Sequence, residues 1–351
     1  MARIKFSGPV ALRVSSFTIL IGIAMSTYAK QTLGRRMAPS WNAAQEIGIR
    51  FVRHQFTRAM SHPDPAKGRQ IFDSIQTETD DVYAVLVKDS ATINGQWHIP
   101  KTPNSKATLL YMHGGGYAFH GGVSVRFASM LAHHTGARLF APDYRLTPEH
   151  PHPAQAEDAL AAWHYVAATC PPEQIVVIGD SAGGHMALML LQTLRDKGLA
   201  QPALCIGLCP WTDIGARGNS LTVNDRYDLV QGWMALRFGK WLDPKDAFGR
   251  EALSPINQDY AGLAPLYLQA GGCEVLHDMI AEFAAIQTSN GADVTLDVWQ
   301  DMPHVFQAYD SWTRSSREAV ARICQVIKEA MRLHSPDDDG PTQPDREFVD
   351  A

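Results

Sequence analysis

The feature that most constrains the fold is a regular alternation of short apolar runs and longer amphipathic segments from about residue 80 onward. Each run has the length of a strand, and the segments between them have helical periodicity. This alternation predicts an α/β fold with a mostly parallel central sheet flanked by helices. The predicted strands are 82–87, 107–113, 137–143, 174–179, 203–209, 265–271 and 293–299. The predicted helices are 124–135, 154–169, 182–197, 275–290 and 316–333.

Two regions interrupt this alternation, residues 31–75 and about 213–250, and neither contains an obvious sheet strand. The second includes "DLVQGWMALRFGKW" (228–241), whose aromatic and apolar residues predict an amphipathic helix. We predict that both regions form a helical cap over the carboxyl edge of the sheet. Residues 76–334 would then be the catalytic domain, with 213–250 as its insertion. A chain of 351 residues suits one such large domain or two smaller ones.

The two ends of the chain differ from the rest in composition. Residues 1–30 are apolar and basic, and the apolar run "FTILIGIAM" (17–25) is shorter than the ~20 residues that span a bilayer. Its length suits a signal-peptide core with "TYA" before Lys30 as cleavage site, and its composition suits a transit peptide. We favour a lid helix or a peripheral membrane contact over secretion. Residues 335–351 are acidic and proline-rich, which predicts a disordered tail.

Overall charge and cysteine content exclude several classes of function. The net charge of −5 gives no electrostatic reason to bind nucleic acid. The five cysteines are scattered and contain no Cys-x-x-Cys pair, which argues against a disulfide framework or a zinc site. This cysteine usage favours a reducing compartment, so we predict a cytoplasmic protein.

One serine lies where a predicted strand meets a predicted helix, in Gly179-Asp180-Ser181-Ala182-Gly183. This sequence fits Gly-x-Ser-x-Gly, a motif in which the serine stands on a strained turn from strand to helix. The glycines are needed because a side chain there would collide with the neighbouring strand or helix. The N–H of Ala182, at the start of the helix, can receive negative charge. The pentad alone is weak, but its flanking elements predict Ser181 as a nucleophile.

A second motif, "YMHGGGYAFHGG" (111–122), follows another predicted strand. Consecutive glycines expose backbone N–H groups, and a His-Gly-Gly-Gly segment in this position supplies half of the oxyanion hole of lipases and esterases. A flexible glycine-rich loop is the ordinary alternative. A phosphate-binding loop is disfavoured because no Gly-Lys-Ser/Thr follows. We expect His113 to brace the loop rather than transfer protons.

The general base should be a histidine late in the chain, because this fold orders its triad as serine, acid, histidine. His304 follows the last predicted strand, whereas His277 lies in a predicted helix and His334 begins the tail. The acid should follow the preceding strand, where Glu274 and Asp278 both lie. We prefer Glu274 and keep Asp278 as the alternative, although either would also suit the first turn of a helix.

Taken together, these motifs resemble the hormone-sensitive lipase-like family of α/β-hydrolases over about residues 75–333. The matching segments are "HGGGYAFHGG", "APDYRLTPEHPHPAQAEDA", "GDSAGGHMAL", "LSPINQDYAGLAPLYLQAGGCEVLHD" and "MPHVF". The resemblance implies Ser181 as nucleophile, His304 as base, and the amides of Gly115, Gly116 and Ala182 as oxyanion hole, with Gly114 shaping the turn. It also places Glu274 where the family commonly has Asp, which is a departure from the pattern.

The expected activity is a serine carboxylesterase acting on short- to medium-chain acyl esters, including acetyl esters, of small apolar molecules, with no cofactor or metal. A lactone hydrolase would use the same triad. A hydrolase-fold receptor is disfavoured because such receptors lose the base, and a peptidase would need a further domain. We assign substrate contacts to Gly114, Tyr117 and Trp233, with further apolar lining from the cap. A homodimer is a further expectation.

Overall fold

The computed structural model describes residues 3–78 and 82–333. The predicted tail, residues 335–351, lies outside these described residues. The strands are β1 (Arg3–Phe6), β2 (Ile75–Glu78), β3 (Val85–Asp89), β4 (Gly95–Pro100), β5 (Thr108–Met112), β6 (Arg138–Pro142), β7 (Ile175–Asp180), β8 (Leu204–Leu208), β9 (Leu266–Gly271) and β10 (Val294–Trp299). The helices are α1 (Val10–Thr32), α2 (Ala43–Ser61), α3 (Pro65–Phe72), α4 (Gly122–Thr135), α5 (Ala154–Ala167), α6 (Ala182–Asp196), α7 (Ser220–Val223), α8 (Gly232–Leu242), α9 (His277–Ser289) and α10 (Arg314–Leu333).

The central sheet has the strand order β10-β9-β8-β7-β5-β6-β4-β3. Strands β10 to β6 are parallel, whereas β4 pairs antiparallel with both β6 and β3. The mostly parallel sheet predicted from the alternation is therefore confirmed. One strand of the central sheet was missed: β4, "GQWHIP", has two polar residues and a proline and does not form a continuous apolar run. The two strands of the separate small sheet, β1 and β2, were not predicted either.

Alternate residues of the central strands enter two separate cores, because successive side chains of a strand point to opposite faces. On β7, Ile175 and Val177 pack with α5, α6 and α9, while Val176 and Ile178 pack with α4 and α10. Every residue of β7 is buried, as expected for a parallel strand covered on both faces. This double covering leaves the carboxyl edge of the sheet as the place where loops and side chains can converge.

The two regions predicted as a cap contain α2 and α3, and α7 and α8, respectively. Aromatic rings join them above the glycine-rich loop: Phe56 of α2 contacts Phe72 and Phe119, and Phe119 contacts Phe238 of α8. The indole N–H of Trp41, which precedes α2, donates to the carbonyl of Asp301. The amino-terminal helices are thus attached to the loop that carries His304.

Helix α1 is longer than the sequence suggested. It runs for 23 residues, because residues 10–16 precede the apolar run and the helix continues past it to Thr32. By length and composition alone, it is sufficient to cross a membrane, a test that a signal sequence also passes. The expectation that this segment is too short was therefore wrong. Strand β1, directly before α1, pairs antiparallel with β2, which ties this end of the chain to the cap.

Candidate active site

The turn at Ser181 is strained and tightly packed. Ser181 has φ 55° and ψ −120°, a conformation that L-residues rarely adopt, and its N–H donates to the carbonyl of Leu208 at 2.9 Å. A Cβ atom on Gly183 would collide with the carbonyls of Met112 and His113, and one on Gly179 with the backbone of Gly183. Both glycines of the motif are thus required for β7 to turn into α6 directly beneath the serine.

His304 lies between Ser181 and Glu274. Its Nε2 is 2.8 Å from Ser181 Oγ, and its Nδ1 is 2.6 Å from Glu274 Oε2. Glu274 is fully buried in the turn after β9, where its Oε1 accepts the N–H of Gly271 at 2.7 Å. The structure therefore brings together three residues that are 123 and 30 positions apart along the chain.

Asp278, the alternative acid, is placed elsewhere. Its Oδ2 accepts the N–H of Ser220 at 2.9 Å, and its side chain lies partly exposed in the first turn of α9. Of the two acids considered from the sequence, only Glu274 contacts His304.

A second buried carboxylate, Asp228, was not found by sequence reasoning. Its Oδ1 accepts the N–H groups of His304 at 3.1 Å and Leu229 at 2.7 Å, and its Oδ2 accepts that of Val275 at 2.7 Å. Asp228 thus holds the backbone at His304 and next to Glu274. It precedes α8 in a stretch of ordinary cap composition, where no motif marks it.

The charges around His304 determine its protonation. Burial lowers the pKa of the imidazole, but the hydrogen bond and charge of Glu274, together with the charges of Asp228 and Asp180, outweigh burial and raise the pKa above 6.5. Burial in turn raises the pKa of Asp228 to about 6, against the lowering effect of His304. At neutral pH Asp228 is therefore mostly ionised beside His304.

Asp180, the variable residue of the serine motif, clamps the glycine-rich loop. Its Oδ1 accepts the hydroxyl of Tyr111 at 2.6 Å and the N–H of Gly114 at 2.9 Å. Burial raises its pKa to about 6, although these hydrogen bonds oppose the shift. His113 braces the same loop: its Nδ1 lies 2.7 Å from the Gly114 carbonyl and its ring stacks on Tyr144. Burial lowers the pKa of His113 to about 3, so it stays neutral.

The loop that follows β5 leaves amides free above Ser181. Gly115 and Gly116 have φ 107° and 63° and line the same cavity as Ser181 and His304. Within the described ranges, neither amide donates a hydrogen bond to another protein group. A Cβ on Gly116 would meet the ring of Phe238, so the cap closes directly over this loop.

A cavity of about 600 Å³ opens above these groups, which is a usual size for a small-molecule site. The glycine-rich loop, with Gly114, forms its floor, and the cap forms its walls. The cap residues in contact with it include Phe51, Val52, Phe56, Leu229, Val230, Ala235 and Phe238. The lining is mainly apolar, which suits an apolar substrate.

Two of the expected substrate contacts are not in this cavity. Tyr117 is buried in the core, and its hydroxyl pairs with His185 Nδ1 at 2.6 Å, so the ring is directed beneath the loop. Trp233 lies on the outer side of α8, 39% exposed, with its indole N–H on Gln231. Residues 235 and 238 of the same helix face inward, and a helix rotates by about 100° per residue, so 233 cannot share that face.

Cys209 packs against Glu274 and His304: its sulfur, a Glu274 oxygen and a His304 nitrogen lie within 4.8 Å of one another. Burial and the charge of Glu274 raise the pKa of the thiol well above 9. The thiol therefore stays protonated, and the Nδ1 of His304 is engaged by Glu274 rather than by sulfur.

The cap is coupled to this site through Arg53 of α2. Its guanidinium donates to the carbonyl of Asp228 at 2.8 Å, to the carbonyl of Asp225 and to the carboxylate of Asp225. One side chain of the amino-terminal helices thus holds the loop of the insertion that carries Asp228.

A sequence profile described as alpha/beta hydrolase fold matches residues 109–308, more than half of the chain. The chain belongs to the α/β-hydrolase family. This hydrolase is 36% identical over 234 residues to an acetyl-hydrolase of Streptomyces hygroscopicus, covering 64% of this chain and 76% of the relative. It is 30% identical over 246 residues to carboxylesterase NlhH of Mycobacterium tuberculosis, covering 66% of this chain and 76% of the relative.

Solved structures give the same result for the hydrolase. A mutant of the esterase E40 is similar with a TM-score of 0.72 and 30% identity, covering 80% of this chain and 97% of that one. An esterase from the bacterial hormone-sensitive lipase family is similar with a TM-score of 0.68 and 28% identity, covering 90% and 98%. The resemblance to hormone-sensitive lipase-like proteins is confirmed, and the protein is a carboxylic ester hydrolase.

Proposed function

We propose that this hydrolase is a serine carboxylesterase in which Ser181, His304 and Glu274 form the catalytic triad. The observation that carries the proposal is the single imidazole within hydrogen-bond distance of both the Ser181 hydroxyl and the Glu274 carboxylate. Ser181 and His304 lie at the base of one apolar cavity beside two unpaired amides, and Glu274 is buried behind His304. This arrangement meets the requirements of nucleophilic catalysis at an acyl carbon.

In the first half of the reaction, Ser181 Oγ attacks the ester carbonyl while its proton moves to His304 Nε2. Glu274 accepts the Nδ1–H, which fixes the tautomer with Nε2 free and stabilises the imidazolium that forms. The oxyanion of the tetrahedral intermediate accepts hydrogen bonds from the amides of Gly115, Gly116 and Ala182. The imidazolium then donates its proton to the leaving alkoxide, and the C–O bond to the alcohol breaks.

In the second half, water enters and deacylates the enzyme. His304 takes a proton from water as the oxygen attacks the acyl carbon, and the same amides hold the second oxyanion. Collapse returns the proton to Ser181 Oγ and releases the carboxylic acid. Every proton moves through one nitrogen, so the raised pKa of His304 sets the pH at which the cycle begins to operate.

The substrates we propose are acetyl to medium-chain acyl esters of small apolar molecules. The apolar cavity of about 600 Å³ has room for such a molecule, and a relative is named acetyl-hydrolase. A second relative, 28% identical over 240 residues, is named ethyl acetate hydrolase and comes from Pseudomonas putida. An intact base at His304 favours turnover over a role as a non-catalytic receptor.

We also propose that the protein works on the cytoplasmic side of a membrane. All five cysteines are free thiols, which is typical of a reducing compartment. The pairing of strand β1 with β2 supports an amino-terminal segment that stays with the folded protein. Retention of the amino terminus, measured by intact mass of protein from cells, tests this; loss of the first 30 residues would contradict it.

The experiment for the catalytic proposal is hydrolysis of p-nitrophenyl esters from acetate to decanoate by the wild type and by Ser181→Ala. We expect the variant to lose about 10³-fold to 10⁶-fold in kcat, with an unchanged Tm. Ser105→Ala, a loop serine outside the cavity, is the control and should retain full activity. Full activity of Ser181→Ala would refute the triad, and hydrolysis of lactones but not of esters would refute the substrate class.

A further inference from the structure

Helix α1 presents an apolar surface to solvent. We call this surface the outer stripe; its large side chains recur every three or four positions and are 44–69% exposed. They are Val10, Val14, Phe17, Ile21, Met25 and Tyr28. Between residues 10 and 29, all of which the structure describes, the other exposed positions are alanine, threonine or glycine. No charged side chain therefore occupies an exposed position along this length of α1.

Several polar side chains of α1 face the protein, whereas Thr18 and Lys30 are exposed. Ser16 and Thr27 are fully buried, Ser16 Oγ lies 2.8 Å from Ser74 Oγ, and Arg50 donates to Thr27 Oγ1 at 2.6 Å. Gln55 adds a hydrogen bond to Ser16 at 3.1 Å. A surface helix in water has the reverse pattern, with its apolar side inward and its polar side in solvent. The outer stripe therefore has the composition of a surface that is buried against a binding partner when the protein is active.

Charge identifies what covers it. Lys30, Arg35 and Arg36 are exposed at the carboxyl end of α1, and the first 45 residues of the chain contain no Asp or Glu. Basic residues beside an apolar helix face attract anionic lipid headgroups. The same charges disfavour a second copy of α1 as the partner, because two such segments would bring like charges together without acids to offset them.

The cavity opens beside the outer stripe. Leu20, Ala24 and Tyr28 of α1 line the cavity, and Tyr28 also belongs to the outer stripe. Val123 and Trp312, 40% and 46% exposed, line it as well. Residues that are both exposed and in the cavity wall mark its mouth. An apolar surface therefore continues from the outside of α1 over Tyr28 towards Ser181.

We propose that α1 lies flat on an anionic membrane surface, with the outer stripe immersed, and that apolar ester substrates enter the cavity from the lipid at Tyr28. The route of substrate entry rests on the proposed esterase function, whereas the docking does not. An orientation in the plane follows from the attachments of α1. Crossing the bilayer would break the buried hydrogen bonds of Ser16 and Thr27 and the pairing of β1 with β2.

The test of docking uses the full-length protein and flotation with phosphatidylcholine vesicles, with and without phosphatidylglycerol. The variant Ile21→Glu/Met25→Glu alters the outer stripe but no cavity residue. The control, Val223→Glu/Leu236→Glu, makes the same change at exposed apolar positions of the insertion. We expect the wild type and the control to bind anionic vesicles, and the stripe variant to bind about tenfold or more weakly.

The test of substrate entry compares p-nitrophenyl acetate in water with a long-chain p-nitrophenyl ester embedded in the same vesicles. We expect all three proteins to hydrolyse the acetate equally, and the stripe variant to lose about tenfold on the embedded ester only. Equal rates on the embedded ester would overturn lipid entry. Inactivity of all three proteins on acetate would refute the esterase proposal, while flotation would still decide the docking.

Three other results would overturn the docking proposal. One is equal flotation of the wild type and the stripe variant. Another is resistance of membrane-bound protein to alkaline carbonate extraction, which would show that α1 spans the bilayer. The third is a dimer by light scattering that becomes monomeric in the stripe variant without any vesicle binding by the wild type, which would assign the outer stripe to a second copy of the chain.

Discussion

Polar side chains are buried both at the catalytic edge of the sheet and in helix α1, but their burial has different consequences in the two regions. At the edge, Glu274, Asp228 and Asp180 are buried so that each fixes backbone amides or an imidazole in one geometry. In α1, buried hydroxyl groups fix the helix to α2 and leave an apolar side outward. Burial of polar side chains therefore fixes the positions of reacting groups at the edge of the sheet, whereas in α1 it fixes which side of the helix faces outward.

Among changes to residues other than Ser181, the largest effect should come from Glu274→Gln. Both oxygens of Glu274 accept hydrogen bonds, one from the Gly271 N–H and one from His304 Nδ1–H, whereas Gln has a single oxygen. If that oxygen accepts the Gly271 N–H, the amide NH₂ faces Nδ1 and the tautomer of His304 is lost. We therefore expect kcat to fall about 10³-fold to 10⁴-fold. The matched variant Asp278→Asn removes the same charge four positions along the chain and should leave kcat nearly unchanged. A comparable loss in both variants would show that the geometry at His304 does not select the acid.

Asp228→Asn should have the next largest effect. Both carboxylate oxygens accept N–H groups, and the amide nitrogen of Asn cannot accept the one from Val275 or His304. We expect displacement of the base and about a 10-fold to 100-fold loss of kcat/KM.

The same variant has a second readout. Asp228 raises the pKa of His304, so its removal should move the acidic limb of the pH profile to lower pH. A loss of activity without this shift would mean that Asp228 only supports the fold.

The wild-type pH profile should lose activity about tenfold per pH unit on its acidic side. His304 must be neutral to accept the proton of Ser181, and its pKa in the folded protein is raised, so the midpoint should lie above pH 6.5. The measurement is kcat/KM for p-nitrophenyl acetate from pH 5 to 9. A midpoint below 6.5 would show that burial outweighs the surrounding carboxylates.

The smallest effect should come from Phe238→Leu, at the wall of the cavity. Its ring lies against Gly116, and a smaller side chain gives more room beside the glycine-rich loop, so we expect a few-fold shift of kcat/KM towards longer acyl chains. Trp233→Leu, on the outer side of the same helix, is the control. An equal shift in both variants would assign the effect to the stability of α8 rather than to the cavity.

The sequence predicted those parts of the site whose chemistry depends on local backbone. Ser181 and the glycines around it are recognisable because a strand-to-helix turn at that position tolerates few residues. His304 was predicted because it follows the last strand, and the structure places its imidazole beside Ser181. Both depend on chain order and local sterics, which can be read from short stretches of consecutive residues.

The parts that were missed depend on long-range packing. Asp228 acts on residues 47 and 76 positions away, and nothing in its own segment distinguishes it. Trp233 and Tyr117 were misplaced because composition does not give the rotation of a helix or the direction of a loop side chain. Strand β4 was missed because it pairs at the edge of the sheet through its backbone, without an apolar run.

The attachment of Arg53 to the Asp225–Asp228 loop restricts how products can leave the enzyme. The two arms of the cap are cross-linked by hydrogen bonds, and the same loop carries the carboxylate that positions His304. A hinged opening of either arm would therefore misplace the base. We expect the cap to stay closed throughout turnover. The product acid and alcohol would then leave through the existing mouth of the cavity, after rotation of a few side chains.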